Sequence, residues 1–239
     1  EVKEQNRASQ QIFTKMNFKE TNIHGGGISI CSDVNSWLNK YIPQLLCYFI
    51  QMGFRCTWVH NANELIVGDV CFYLSYGKIV GEEVLAKFKH NLVVHESDLP
   101  QGKGWSPLTW QILEGKNIIP VTLLEADVKV DSGVIYAQEW IELDGTELIT
   151  ELRQAQAEAT IRLCREFVTN YPQSAASGKQ QIGEGSFYKR RTPKDSELDL
   201  NKTLAEQINL LRVVDNTNYP AYFVYKDIVY YLQVSKRDE

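Results

Sequence analysis

Short apolar runs alternate with longer segments of helical spacing in the first part of the chain. Four runs of six residues have the length and composition of buried strands. They lie at 27–32, 54–59, 70–75 and 91–96. Between the first two, residues 36–52 carry apolar side chains at helical spacing, and Gly53 then fits a helix stop. This alternation predicts an α/β fold, with a Rossmann-like, mostly parallel sheet and helices on both faces.

The same pattern continues beyond the fourth strand. Residues 105–115 predict a helix, 119–126 predict a strand, and 130–143 predict a turn followed by extended chain. The 3.6-residue periodicity of 146–170 then predicts one long amphipathic helix that covers the sheet. We therefore place the core domain at 27–171.

The amino-acid composition changes at both ends of this domain. Residues 1–26 are a predicted N-terminal extension, and 172–185 are rich in Gln, Ser and Gly, which is typical of a linker or surface loop. Residues 186–239 form a small, β-containing C-terminal extension. Within it, aromatic runs on either side of Lys226 and Asp227 predict a hairpin.

Composition and charge limit the kinds of partner. The chain of 239 residues is 44% hydrophobic and has a net charge of −5, which suits a globular protein and lacks the basic surface of a nucleic-acid binder. No apolar run approaches the ~18 residues of a membrane helix, and residues 1–20 lack the apolar segment of a signal peptide. The five cysteines form no C-x-x-C pair. We expect a cytoplasmic protein with no nucleic-acid or membrane partner and no metal.

A candidate catalytic histidine stands at the end of the fourth strand, in the stretch HESDLPQGKGWSPLTW that begins at His95. Ligands collect at the carboxyl ends of parallel strands. Pro100, Gly102 and Gly104 follow, and such a loop exposes a side chain and lets the backbone approach a ligand. Asp131, in the turn signal VDSG, is a second candidate. The structural alternatives are a core histidine and an aspartate that starts a turn.

Three other templates are incomplete in this sequence. HGGG at 24–27 is similar to a lipase oxyanion loop, but the chain has no G-x-S-x-G nucleophile elbow. The glycines at 102 and 104 do not complete G-x-G-x-x-G because Pro107 holds the third position, and no P-loop motif occurs. Serine hydrolysis, dinucleotide binding and a P-loop are therefore unsupported.

One long stretch resembles the signature region of the folate-dependent formyltransferases, the family of methionyl-tRNA, glycinamide-ribonucleotide and nucleotide-sugar enzymes. It contains HESDLP, the paired glycines, SPLTW, PVT and DSG, and the match extends from Asn91 to about Tyr136. SYGKI at 75–79 resembles the family's A-Y-G segment. The runs at 185–200 and 212–223 resemble C-terminal elements of the nucleotide amino-sugar branch.

The resemblance implies an N-formyltransferase that needs no metal. Its co-substrate would be N10-formyltetrahydrofolate, and its partner a nucleotide-linked amino deoxysugar whose primary amine receives the formyl group, for surface glycan biosynthesis. His95 and Asp131 would be the catalytic residues. His95 would donate to the developing oxyanion, while Asp131 holds the imidazole and takes up the amine proton.

One position departs from the family pattern. The family has an asparagine two residues before the histidine, and this chain has Val93. Ser97, Asn91 and a backbone N–H of the loop at 102–104 are the candidates for oxyanion support. Asn91 is the weakest of them, since it would lie about 13 Å from His95 along a strand.

Two sets of binding residues complete the predicted site. The candidates for binding the folate are Tyr76, Gly77, Gly102, Gly104, Val121 and Thr122. The candidates for binding the acceptor are Lys103, Trp105, Lys189, Arg190 and Arg191. Lysine and arginine can hold a diphosphate through charge-assisted hydrogen bonds. Packing in the core, or a solvated basic face, are the structural alternatives.

Val93 leaves two other functions open. A binding protein on the same scaffold would hold folate or a sugar nucleotide without turnover. A formyltetrahydrofolate hydrolase would release formate without an amine. The aromatic C-terminal run also leaves open a homodimer.

Overall fold

The computed structural model describes residues 26–237, so the N-terminal extension predicted at 1–26 lies outside the described residues except for Gly26. Within this range the strands are β1 (Gly27–Cys31), β2 (Arg55–Val59), β3 (Gly68–Tyr73), β4 (Phe88–His95), β5 (Lys103–Gly104), β6 (Ile118–Glu125), β7 (Ile135–Glu142), β8 (Phe187–Tyr188), β9 (Ala221–Tyr225) and β10 (Ile228–Leu232). The α-helices are α1 (Ile42–Gln51), α2 (Glu82–Leu85), α3 (Pro107–Leu113), α4 (Ile149–Thr169), α5 (Gln173–Ala176) and α6 (Ile208–Val213). Short 3-10 helices lie at Trp37–Lys40, Ala62–Glu64, Pro193–Ser196 and Ala205–Gln207. In the part of the chain that is described, no helix is long and apolar enough to cross a membrane.

Six strands form the central sheet in the order β2-β1-β3-β4-β6-β7. The first four are parallel, whereas β6 is antiparallel to β4 and β7 is antiparallel to β6. The predicted Rossmann-like, mostly parallel α/β sheet is confirmed. The reversal at β6 matters for the site, because it sends the carboxyl end of β6 away from the carboxyl end of β4.

Alternate residues of the parallel strands face two separate cores. Ile30 and Phe72 lie on the side covered by α1 and α4, where Phe49 stacks on Phe72 with ring centroids 5.8 Å apart. Cys71 faces the other way and joins Val84 of α2 in a smaller core. Helices therefore cover both faces, as predicted, and within residues 26–237 the helices on the second face are the four-residue α2 and a 3-10 turn.

The C-terminal extension contains the predicted hairpin, formed by β9 and β10. Lys226 and Asp227 at its tip have φ of 48° and 65°, which is the conformation of a tight type I′ turn. The hairpin packs with Leu198 and Leu211 in a third, small core. Its outer aromatic residues include Tyr231, which is 71% exposed. The homodimer stays a prediction.

The segment predicted as a linker or loop at 172–185 packs along the core domain. It contains α5, and Lys179 forms an isolated β-bridge to the first residue of β7. The Gln181 Nε2 group donates hydrogen bonds to the backbone oxygens of Asp131 (3.0 Å) and Gly133 (2.9 Å). The domain boundaries stay predictions, but these contacts attach the segment to the loop that carries Asp131.

Candidate active site

His95 ends β4 at the carboxyl edge of the parallel strands, and it is only 6% exposed. Its Nε2 lies 2.9 Å from the backbone oxygen of Gly102. Because a carbonyl oxygen can only accept, Nε2 donates this hydrogen bond and carries a proton. Nδ1 faces Asp131 Oδ1 at 3.8 Å, which is longer than a hydrogen bond. The structure therefore brings the two predicted catalytic residues together and leaves a gap between them.

Asp131 reaches His95 through a loop that turns back. Since β6 is antiparallel to β4, Leu92 pairs with Glu125, and the carboxyl end of β6 lies three residues behind His95 along β4. The loop after β6 then returns, and Asp131 within it has a φ of 51°, a left-handed conformation that aspartate and asparagine adopt more readily than most residues. The N–H of Gly104 donates to Asp131 Oδ2 at 2.9 Å and orients the carboxylate.

The loop after β4 is held in place by the C-terminal part of the chain. β5 pairs with β8, and the N–H of Gly102 donates to Ser186 Oγ at 2.8 Å. Gly104 has a φ of 97°, and a Cβ at this position would lie 2.5 Å from the backbone oxygen of Tyr188. Gly104 is therefore required by the close approach of two backbones. Both predicted glycines lie at the site and shape its loop.

The backbone N–H groups of this loop are already bonded within the protein. Those of residues 102–105 donate to acceptors of Ser186, Asp131 and Tyr188. The expectation that one of them supports an oxyanion in place of the family's asparagine is therefore wrong, since each of these donors already has an acceptor.

An apolar cavity of about 320 Å³ opens beside His95 on the thinly covered face of the sheet. We call it the apolar cavity. It is lined by Tyr73, 75–80, Leu85, 93–95, 104–105, 124–127 and 130–131. Of the residues predicted to bind the folate, Tyr76, Gly77 and Gly104 contribute to this wall. Its volume lies within the range of about 300–1,000 Å³ that is usual for small-molecule sites.

Two other residues predicted to bind the folate are buried in the sheet. Val121 is fully buried in the main core. Thr122 is fully buried as well, and its Oγ1 donates to the backbone oxygen of Ser97 at 2.7 Å. The prediction for both is wrong because β6 runs antiparallel, so its final residues and the returning loop reach the cavity. Leu124 and Ala126, which the sequence analysis missed, line the wall instead.

The two side chains proposed to support the oxyanion, Asn91 and Ser97, lie outside the lining of the apolar cavity. The Asn91 side chain accepts a hydrogen bond from the Tyr73 hydroxyl (3.2 Å) and donates one to the backbone oxygen of Leu85 (3.0 Å). Ser97 is 1% exposed, and its Oγ has no hydrogen-bond partner among the described residues. Neither residue lines the apolar cavity, whereas Val93 does. The predictions for Asn91 and Ser97 are corrected accordingly.

A second space continues from the cavity past Trp105. We call its first part the junction, whose lining includes Ser75, Tyr76, Gly77, Val94, His95, Glu96, Trp105 and Gln156. We call its second part the arginine groove, whose lining includes Trp37, Glu96, Trp105, Ser106, Arg153, Gln156, Arg190, Arg191 and Tyr219. His95 lies in the walls of both the cavity and the junction.

Two arginines of the arginine groove lie over tryptophan rings. The Arg190 guanidinium is 4.8 Å from the ring centroid of Trp105, and that of Arg153 is 5.7 Å from the ring centroid of Trp37. Such contacts hold a long cationic side chain in a fixed, flat orientation. Arg191 lines the same groove, and its Nε is buried with no hydrogen-bond partner among residues 26–237.

Trp105, Arg190 and Arg191 are therefore grouped in one groove, and Arg153 joins them. The sequence analysis missed Arg153 because it treated the long helix only as a cover for the sheet.

The two predicted lysines do not line this groove. Lys103 is 7% exposed, and its Nζ donates to Ser132 Oγ at 2.9 Å. Lys189 forms an ion pair with Asp195, with 2.8 Å between Nζ and Oδ1. Both ammonium groups are thus occupied by neighbours, and the prediction that they bind the acceptor is corrected.

Glu96 is an acidic residue of the site that the sequence analysis did not select. Its carboxylate lies in the walls of the junction and the arginine groove and accepts a hydrogen bond from Gln156 Nε2 at 2.7 Å. Burial raises the pKa of its carboxyl group, and the charge of Asp131 adds to the rise, whereas His95 and Gln156 oppose it. In the sequence, the one signal that could have identified Glu96 was its position directly after His95.

No group of three or more His, Cys, Asp or Glu residues suited to a metal ion occurs within residues 26–237. All five cysteines are free thiols. Cys31, Cys71 and Cys164 are buried, whereas Cys47 is exposed on α1. The ionisable groups nearest the centre of the site are His95, Asp131 and Glu96, and the linings also include Lys78, Asp127, Asp215 and the arginines of the groove.

Comparison with known proteins supports the resemblance seen in the sequence. Residues 57–167 match the family model described as formyl transferase. The methionyl-tRNA formyltransferase of Sulfurihydrogenibium sp. (strain YO3AOP1) is 28% identical over 148 residues, which are 61% of this chain and 48% of that protein. The chain thus matches about half the length of this curated relative.

Two solved structures share the fold. A methionyl-tRNA formyltransferase from Clostridium thermocellum superposes with a TM-score of 0.73 at 22% identity, over 85% of this chain and 89% of that chain. A 4-N formyltransferase from Francisella tularensis superposes with a TM-score of 0.68 at 18% identity, over 89% of this chain and 99% of that chain. The resemblance to the folate-dependent formyltransferases is confirmed, together with the fold that it implied.

Proposed function

We propose that this chain, which carries a formyl transferase domain, moves the formyl group of N10-formyltetrahydrofolate to the primary amine of a nucleotide-linked amino deoxysugar. The observation that carries the proposal is the position of His95. It stands between an apolar cavity and a groove lined by arginines, with Asp131 3.8 Å from its ring. The two spaces suit two different substrates that meet at one histidine.

The apolar cavity fits the folate. Val93, Leu124 and Val80 supply apolar wall for a flat bicyclic ring, and the turn at 75–77 brings backbone close to it. Lys78 is exposed and belongs to the same lining, where it can pair with the carboxylates of a folate tail. The bound folate supplies the formyl group, and the remaining chemistry falls to the residues around His95.

His95 is placed to stabilise negative charge. Gly102 fixes the ring through Nε2, so Nδ1 is the nitrogen that remains to act in the gap beside Asp131. A proton on Nδ1 can be donated to the oxygen on which charge develops as the amine attacks. One preorganised donor of this kind is worth about 2.7–4 kcal/mol in transition-state free energy.

Asp131 completes this arrangement. Its carboxylate lies 3.8 Å from Nδ1 of His95, and the N–H of Gly104 holds it in that orientation. Directly or through a water molecule, the same carboxylate can accept the proton that the attacking nitrogen must lose. The bond between N10 and the formyl carbon then breaks, and N10 takes up a proton as tetrahydrofolate leaves.

The arginine groove suits an anionic acceptor. Arg190 is not paired with a carboxylate by any of the ion pairs found within 26–237, and its guanidinium group suits a diphosphate. The terminal nitrogens of Arg191 already donate to the backbone oxygens of Val213 and Asp195 and to Ser196 Oγ, so Arg191 contributes positive charge from the wall of the groove. Trp105 offers a flat surface for a sugar or base. The similarity to a 4-N formyltransferase supports this acceptor class, while the acidic net charge of −5 disfavours tRNA as the acceptor.

The test is an absorbance assay for tetrahydrofolate production from N10-formyltetrahydrofolate with a panel of nucleotide-linked amino sugars. We expect turnover that requires one sugar and is lost in His95→Ala. Binding of tetrahydrofolate and thermal unfolding of the variant serve as controls, since both should be preserved. Turnover that is equal without any amine would contradict the transferase.

A binding protein is the second candidate, and one observation favours it. Val93 replaces the family's asparagine, and the N–H groups of 102–105 already have acceptors within the protein. His95 is then the remaining donor of the predicted set that lines the cavity. Folate binding with no turnover on any sugar would support this candidate, and amine-independent release of formate would support the hydrolase.

A further inference from the structure

Glu96 lies where the two substrates meet, directly after His95. It lines the junction together with His95 and the arginine groove together with Arg153 and Arg190. An acceptor whose anionic end occupies the groove must therefore pass Glu96 before its reactive end reaches His95.

The surroundings of Glu96 hold its carboxylate in place. Gln156 Nε2 of α4 donates to Oε1 at 2.7 Å, and Gln111 Nε2 of α3 donates to the backbone oxygen of Glu96 at 2.6 Å. Two glutamines from two helices thus fix this residue, one through its side chain and one through its backbone. The carboxylate is preorganised, which reduces the entropy lost when a ligand binds to it.

No lysine or arginine of the described residues forms an ion pair with this carboxylate, and His95 is the basic residue directly beside it. Among the ion pairs found within 26–237, none includes Glu96, although three arginines line the same groove. Arg153, on the same helix as Gln156, pairs with Asp215 at 2.9 Å. A partly buried carboxylate without a cation carries a desolvation cost that a cationic ligand can offset.

Resting on the proposed function, we propose that Glu96 binds the ammonium group of the acceptor and so selects amino sugars over their hydroxyl counterparts. An alkylamine has a pKa of about 10 in water, so the acceptor arrives as the ammonium ion. Paired with Glu96, its nitrogen lies in the junction next to His95.

The test compares two ligands on two proteins. The first ligand is the nucleotide-linked amino sugar with the highest turnover in the panel, or each amino sugar of the panel if none turns over. The second is the same nucleotide sugar with a hydroxyl in place of the amine. Dissociation constants are measured by calorimetry on the full chain saturated with tetrahydrofolate, for the wild type and Glu96→Gln.

The wild type should bind the amino ligand at least about tenfold more tightly than the hydroxyl ligand, as expected for one charge-assisted contact. Glu96→Gln should lose this preference, mainly through weaker binding of the amino ligand, and Glu96→Asp should restore part of it. Glu158→Gln, an exposed carboxylate on the same helix as Gln156, is the matched control and should keep the preference.

Two results would overturn the inference, and they can be told apart. If both ligands bind and Glu96→Gln keeps the preference, the role of Glu96 is refuted while the proposed function stands. If neither ligand binds to a protein that still binds tetrahydrofolate, the proposed acceptor class fails, and the inference fails with it.

Discussion

The apolar cavity and the arginine groove share Trp105, and His95 lies in the cavity and in the junction between them, yet the two spaces are built in different ways. The cavity takes its walls from 73–131, a range that lies wholly inside the part of the chain that matches the formyl transferase model. The groove takes Trp37, Arg190 and Tyr219 from outside that part. The cavity thus depends on the sheet and its loops, while the groove depends on long side chains brought together from distant segments.

This difference separates a half of the site that lies within the matched range 57–167 from a half that also uses segments outside it. A pocket made by strand ends and backbone turns follows from the fold that relatives share. A groove made by arginine, tryptophan and glutamate side chains can change with few substitutions. We therefore expect changes in the cavity to affect the folate and changes in the groove to affect the acceptor.

The largest effect is expected for Asp131→Asn, which lines the apolar cavity beside His95. Asparagine tolerates the φ of 51° and can still accept the hydrogen bond from Gly104. Only the charge beside His95 is removed, so kcat should fall by about 10²- to 10⁴-fold with little change in either KM. Steady-state kinetics with both substrates measure this. Retention of most of the activity would remove Asp131 from the mechanism.

Gly104→Ala should disturb both halves at once. Its Cβ would meet the backbone oxygen of Tyr188 at 2.5 Å, and the segment that must move carries Arg190. We expect a loss of about 2–4 kcal/mol in the free energy of unfolding, measured with urea. Gly53→Ala is the matched control, because Gly53 has a φ of 91° with nothing within 4 Å of the added Cβ. Equal losses in the two variants would show that strain in φ, and not the clash, is the cause.

The free energy of unfolding should depend on pH through Asp215, a residue of the arginine groove that is 8% exposed. Burial opposes its charge, but hydrogen bonds from Thr217, Asn218 and Arg153 lower its pKa to about 2. A pKa below the ordinary value stabilises the folded state at pH above about 4, and this contribution, of about 2 kcal/mol, is lost as the pH falls towards 2.

Asp215→Asn should therefore be less stable than the wild type at pH 7, and the difference should shrink between about pH 4 and pH 2. Urea unfolding at three pH values measures this. A difference that does not depend on pH would mean that the turn and not the charge of Asp215 is responsible.

The smallest effect is expected for Arg190→Ala in the groove. The KM for the acceptor should rise by about five- to tenfold, since one exposed charge-assisted contact is lost, while the KM for N10-formyltetrahydrofolate stays unchanged. Lys189→Ala is the matched control, because Lys189 pairs with Asp195 and does not line the groove. A rise in the KM for the folate would break the division between the two halves.

The sequence predicted the sheet, the long helix, the hairpin and the pairing of His95 with Asp131. It did so because periodicity and turn residues are local signals, and because the formyltransferase signature is contiguous. Val121 and Thr122 were wrongly assigned because an apolar run does not reveal the direction of its strand in the sheet. The antiparallel direction of β6 buries both residues.

Other errors came from contacts between distant segments. The buried Lys103 donates a hydrogen bond to Ser132, and Lys189 forms an ion pair with Asp195. Arg153 lines the groove from α4, a helix whose apolar periodicity was fully accounted for by packing against the sheet. Such pairings depend on which residues the fold places side by side, and a single sequence does not contain that information.

The pairing of β5 with β8 also bears on how the protein is made. The N–H of Gly102 donates a hydrogen bond to Oγ of Ser186, which lies 84 residues further along the chain. On the ribosome, His95 and Asp131 emerge well before the segment that fixes the loop between them. A nascent chain can form its sheet early, because that part folds from the N-terminal side as synthesis proceeds. Its active site is completed only when residues 186–188 have left the exit tunnel.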